Sequence, residues 1–496
     1  MTQKAPSGSC DDPVAGDRNG AAGTIPGCIR KMNNIERVFY RIPGYNVTVV
    51  ARVRGNVSET GLRRALGEVS RMHPLAGARV VFDRQHTAWF SVEDIPAPSL
   101  RVVPRDSDTA WLAEVQAENR IAFEPEISPM IRFVLLHSPE VSDLVIISSH
   151  AICDGMALAN LVRDILANYA DPGQETAPVY PPEMTEYLPV RKNLSPKALP
   201  VRIVTAYANY RWRKNPYFFS REDYEAINTA FWDKREFGVV LLALEPGETA
   251  ELSSRCHENG VSIGSAVTAA FIAAREDISG PFTGNFRTVS IPFDLRRHAA
   301  RPVGDVFCLC AGSAEFPFSY DHEKPFRENA AALNSAIREH VGRLDTAFLE
   351  LLDFDPTFLD AVACFAGPAV ADPGSFPGTK TLARFRQDTD NIAYPVVRRY
   401  LKSAPGIISS NVGKLEIPET YGDLRIDRML FIPPIRESVP LFLGGATIAG
   451  RMVYSMSFAR KKDDPSEKKT EEMIRIRNRA LEYLGFPGNA NADPLG

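Results

Sequence analysis

His150 and Asp154 stand four residues apart, with Gly155 next, in the run His150-Ala-Ile-Cys-Asp-Gly155. An imidazole with an unperturbed pKa of about 6.5 accepts a proton from a hydroxyl or an amine near neutral pH. A carboxylate one helical turn away either orients that ring or pairs with a cation and braces the turn. A glycine permits a tight turn and lets a ligand approach the backbone. These residue types at this spacing suit a general base and its support, as acyl transfer from a thioester to a nucleophile requires. The competing reading is structural: a core or capping histidine, with Asp154 as a helix N-cap. Asp154 is able to fill both roles at once. Cys153 is a second candidate, as a nucleophile, against the plainer reading of a small buried residue.

The motif needs a strand before it and a helix after it. The apolar run Leu144-Val-Ile-Ile-Ser-Ser149 leads in, and an amphipathic run over 156–169 leads out to the stop signal Asp171-Pro172-Gly173. Upstream, alternation predicts strands over 45–53, 77–82, 87–92 and 130–137. Helical spacing predicts helices over 59–72, with Ser58 as N-cap, and over 111–121. Residues 171–200 are proline-rich, and 201–212 reads as a helix with a basic end at Arg211-Trp-Arg-Lys214. A second alternating part follows. Strands are expected over 237–244, 287–293, 406–410, 424–431, 441–449 and 452–458. Helices are expected over 246–259, 263–274, 324–341, 344–352 and 465–483. The expectation is an α/β (α+β) protein of two lobes, each a mixed sheet with packed helices. Its divisions would be a disordered leader (1–30), an N-terminal lobe with the motif (31–190), a linker (191–234), a C-terminal lobe (235–486) and a flexible tail (487–496).

Composition narrows the class. The chain has 496 residues, 44% hydrophobic and 24% charged, which suits a globular protein large enough for two lobes. A net charge of -4 gives no global argument for nucleic acid or an anionic membrane surface. Seven scattered cysteines without a C-x-x-C pair read as reduced intracellular thiols, and no metal site is expected. The leader is rich in Gly, Ala, Ser, Pro and Asp and lacks the apolar core of a signal peptide. No apolar run reaches the roughly 20 residues of a membrane-spanning helix. A cytoplasmic monomer is expected.

Three further stretches occur in a set order with the motif. Leu62-Arg-Arg-Ala-Leu66 precedes Arg71-Met72-His73-Pro74-Leu75, then come Ser290-Ile-Pro-Phe-Asp-Leu-Arg296 and Ser409-Ser410-Asn411-Val412-Gly413. Together with His150-x-x-x-Asp154-Gly155, they resemble the condensation-domain and acyltransferase superfamily that includes chloramphenicol acetyltransferase. The resemblance covers residues 35–460. It is nearest to polyketide-associated acyltransferases and alcohol acetyltransferases. It implies two lobes with an active-site tunnel between them, His150 as general base, and Asp154 as a brace paired with Arg296 of the second lobe. It also implies direct attack on a coenzyme A or carrier-protein thioester, with no tightly bound cofactor.

Two departures bear on the product. Peptide-synthetase condensation domains usually carry two adjacent histidines, whereas Ser149 stands first here, which favours an ester over an amide. The plant-type D-F-G-W-G motif is absent. Ser410 or Asn411 is placed to donate to the developing oxyanion, or else serves a turn that needs Asn and Gly. Arg296-Arg297-His298 and Arg398-Arg399 would meet a coenzyme A phosphate or an acidic carrier protein, or are solvated charge. Lys461-Lys462 and Lys468-Lys469 read as a solvated face. Cys308 and Cys310 are expected on one face of a strand. The expected function is O-acyl transfer to a hydroxyl acceptor. The alternatives are amide formation and a catalytically silent module that binds a carrier protein.

Overall fold

The computed structural model describes residues 27–173, 177–183, 199–299, 301–343, 351–367, 378–463 and 467–491. Apolar alternation along the strands builds two six-stranded mixed sheets. The first runs in the order Thr420–Tyr421, Leu424–Ile432, Asn46–Arg54, Val141–Ser149, Ile131–His137, Leu100–Pro104. Its pairs are antiparallel except the last, which is parallel. The second runs Ala311–Pro317, Thr288–Asp294, Ile407–Lys414, Leu441–Ile448, Arg451–Lys461, Arg235–Leu244. There Ile407–Lys414 lies parallel to both neighbours, and the other pairs are antiparallel. The expected α/β class with two mixed sheets is the observed one.

Alternation decides what each face covers. Val47, Val49, Ala51 and Val53 pack with Leu158, Leu161, Val162 and Ile165 of the helix Gly155–Ala170. The opposite face supplies Val50, Val145, Ile147 and Leu430 to a cluster shared with Val239, Leu241 and Val453 of the second sheet. The two sheets are therefore joined by a common core.

Several expected boundaries move. The leader lies outside the described residues up to 26, but Cys28–Lys31 is a strand paired with Ala88–Ser91. The expected linker holds two helices, Leu199–Lys214 and Arg221–Asp233, because Trp212 and Tyr224 have large apolar groups to bury in the first core. The span 235–486 is not one lobe. Leu424–Ile432 crosses into the first sheet, and Phe358, Phe365, Phe385 and Tyr394 pack in the first core. Arg37 anchors that region through a buried pair with Asp360 at 2.7 Å. The expected tail begins with a short helix, Pro487–Asn491, where the Asn489 amide donates to Glu248; residues 492–496 lie outside the description. Of the expected helix over 344–352, residues 344–350 also lie outside it. Cys308 and Cys310 sit on a buried loop rather than a strand, since the loop must curl around Arg296.

Candidate active site

The site forms where the central strand of the first sheet ends. Val141–Ser149 is buried along nearly its whole length, so the chain emerges from the sheet at His150 in a fixed position. Ala151, Ile152 and Cys153 are fully buried, and the helix Gly155–Ala170 starts immediately after. Asp154 is its N-cap: Oδ1 accepts the Ala157 amide at 2.8 Å.

Nδ1 of His150 lies 2.7 Å from the Cys153 carbonyl oxygen. A carbonyl only accepts, so Nδ1 carries the proton and Nε2 is left with its lone pair. Phe39, from the helix Asn34–Phe39, packs on the ring with centroids 4.6 Å apart. Burial disfavours the imidazolium and pulls the pKa below the ordinary 6.5, against the Cys153 carbonyl and Asp154, which favour it. The ring is thus neutral, oriented and basic at Nε2. Burial pushes the Cys153 thiol up and keeps it protonated, which removes the nucleophile reading.

Asp154 faces away from the imidazole. Its Oδ2 accepts Arg296 Nη1 at 2.9 Å and the Cys310 amide at 2.7 Å, both from the second half of the chain. Arg296 stands on the turn Leu295–His298 after the strand Thr288–Asp294. Its guanidinium also reaches Asp294 and the carbonyls of Val306 and Cys308. Burial is the largest single influence and opposes this charge, but Asp154, together with Cys310, Cys308 and Asp294, holds the arginine above its ordinary range.

Gly155 is required by close approach. A Cβ there would stand 2.6 Å from the Phe431 ring and 2.9 Å from Val412. Phe431 comes from the crossing strand, and Val412 from the strand Ile407–Lys414 that carries Ser410 and Asn411. Asn411 turns its amide oxygen onto the Gly413 amide at 2.9 Å, and Gly413 adopts φ +82°. The expected turn is instead an irregularity within the strand, where its register against Leu441–Ile448 shifts between Asn411 and Lys414. Ser410 is half-buried on the same strand, and Ser409 bonds Thr268 at 2.7 Å. Next to Ser149 a shallow cleft, open to solvent, is lined by Phe39, Asn46, Met130, Ser149 and Tyr224, among others. Arg398 and Arg399 are exposed on the helix Ala393–Lys402. Among the described residues, no three His, Cys, Asp or Glu side chains group as a metal site. No described helix is long and apolar enough to cross a membrane.

The structure brings together His150, Asp154, Gly155 and Arg296. Phe39, Cys310 and Phe431 join them without any local signal in the sequence, since each acts through a single contact from a distant element.

No protein-family model matches the sequence, and no curated protein does either. Solved structures do. Polyketide synthase associated protein 5 from Mycobacterium tuberculosis superposes with a TM-score of 0.56 at 15% identity, over 93% of this chain and 99% of that one. Trichothecene 15-O-acetyltransferase from Fusarium sporotrichioides gives 0.57 at 13%, over 91% and 95%. The first condensation domain of the CDA synthetase gives 0.55 at 13%, over 94% and 97%. The chain shares the fold of these proteins, condensation domains among them.

Proposed function

We propose that the protein is an O-acyltransferase, moving an acyl group from a coenzyme A or carrier-protein thioester to a hydroxyl acceptor. The observation that carries this reading is the hydrogen bond from His150 Nδ1 to the Cys153 carbonyl, which leaves Nε2 as the basic atom. Nε2 takes the hydroxyl proton as the oxygen attacks the thioester carbonyl carbon. The new C–O bond forms, the carbonyl electrons move onto oxygen, and their return expels the thiolate. The imidazolium then gives its proton to the sulfur. No acyl-enzyme intervenes, in keeping with the protonated Cys153 thiol. Asp154 and Arg296 hold the turn in place, and Ser410 or Asn411 donates to the oxyanion in this scheme. The thioester is a co-substrate rather than a resident cofactor, and the enzyme works as a cytoplasmic monomer. An ester product is favoured by Ser149 ahead of His150, and the trichothecene acetyltransferase is by its name an O-acyltransferase.

The test is thiol release from a panel of acyl-CoA and acyl-carrier donors, with matched alcohols and amines as acceptors. Alcohol-dependent release is expected, and His150→Ala should lower it by about 10²–10⁴-fold. Near-normal turnover in a folded His150→Ala protein overturns the mechanism. Amine-dependent release alone replaces the ester with an amide.

A further inference from the structure

The helix Leu199–Lys214 has one face that the described residues do not cover. Thr205, Ala208 and Trp212 are buried, and Trp212 Nε1 donates to Thr357 at 2.8 Å, so the helix is fixed to the body. On the other side, Ile203, Val204, Tyr207 and Tyr210 are 61%, 59%, 52% and 57% exposed. At 100° per residue, Ile203, Tyr207, Tyr210 and Lys214 fall on one narrow stripe, with Val204 and Arg211 along its edge. Isolated exposed apolar residues are ordinary, but three in one stripe, with a fourth along its edge, on a well-anchored helix are not.

The charge on this helix has one sign. It carries Arg202, Arg211, Arg213 and Lys214 and no acidic residue, in a chain whose overall charge is negative. Arg213 is taken by Asp355 at 3.0 Å. Arg211 and Lys214 instead lie against the exposed rings: Arg211 donates to the Tyr207 hydroxyl at 3.1 Å, and the Lys214 ammonium sits 4.3 Å from the Tyr210 ring. Aliphatic groups, tyrosine rings and long cationic side chains beside them are the arrangement that lies in a lipid–water interface. The apolar groups enter the acyl boundary, the rings sit at headgroup level, and the cations reach the phosphates.

We propose that this face docks the protein on an anionic lipid surface, with Ile203, Val204, Tyr207 and Tyr210 inserted and Arg211 and Lys214 on the headgroups. The proposal is independent of the reaction assigned above. It does not contradict the negative net charge, because attraction to a surface is set by charges within about one Debye length, roughly 8–10 Å, of it.

The experiment is co-sedimentation of the full-length protein with phosphatidylcholine vesicles, with and without about a third phosphatidylglycerol. Binding is expected only with the anionic lipid and should weaken as salt rises. The double variant Ile203→Glu/Tyr207→Glu should lower partitioning about tenfold or more, with an unchanged thermal melt. Should that variant fold poorly, Arg211→Gln/Lys214→Gln tests the charge term separately and should also weaken binding. The proposal is overturned by a wild-type protein that stays in the supernatant with both vesicles. Variants that bind as tightly as wild type overturn it too. So does a face that instead mediates dimerisation, or binding of an acyl carrier protein, without vesicle binding.

Discussion

At the scale of single residues, the proposed chemistry depends on which nitrogen of His150 holds the proton, and the Cys153 carbonyl decides that. The lowered pKa sets the direction of the pH dependence. A base works only when unprotonated, so kcat/KM should hold as pH falls to 6.5 and decline only below it. An acid limb centred above 6.5 would contradict the burial of the ring. Asp154 favours the imidazolium, so Asp154→Asn should move that limb to still lower pH. Asparagine keeps the cap on the Ala157 amide but leaves the buried Arg296 charge with Asp294 as its remaining carboxylate partner. The expected loss is about 1–3 kcal/mol of stability, below that for a wholly unpaired buried charge, read by denaturant titration. An unchanged melt would remove the bracing role. His150 and Asp154 are legible in the sequence because six consecutive residues hold them. Arg296 is reached only through resemblance, since nothing in its own neighbourhood names a partner so far along the chain.

At the scale of elements, the start of the motif helix is wedged between two strands. Gly155 fits because Phe431 and Val412 occupy the space a side chain would need. Gly155→Ala should destabilise by about 1–3 kcal/mol, as overpacking does, and reduce turnover by shifting His150 relative to Phe39. Adding Phe431→Leu should recover part of the stability. A Gly155→Ala protein as stable and active as wild type would show that the wedge yields freely. Long amphipathic elements, such as Glu59–Met72 under its Ser58 cap, are legible from periodicity. The strands missed are edge strands. Leu100–Pro104 and Ala311–Pro317 each pair on one side only. The latter, Ala-Gly-Ser-Ala-Glu-Phe-Pro, has little intrinsic strand preference, so its pairing with Thr288–Asp294 decides its conformation.

At the scale of the whole molecule, the two sheets are not separable along the chain. Leu424–Ile432 pairs with Asn46–Arg54 across nearly its full length, and Ser455 donates to the Phe431 carbonyl at 2.6 Å, tying the crossing strand to the second sheet. A fragment of residues 27–234 should therefore show no cooperative melt, whereas the full chain should. A sharp transition in the fragment would mean that the first sheet stands without its crossing strand. This exchange was not legible, because residues 424–431 read as an ordinary strand and nothing in an apolar alternation names its partner. It also sets a timetable for synthesis. At ~5–20 residues per second, a ribosome needs tens of seconds to pass from the motif strand to the crossing strand. Through that interval Asn46–Arg54 waits with one edge of unpaired backbone N–H and C=O groups, a template for pairing with another chain. Substitutions in Leu424–Ile432 should accordingly reduce yield in the cell more than they reduce the activity of the molecules that fold.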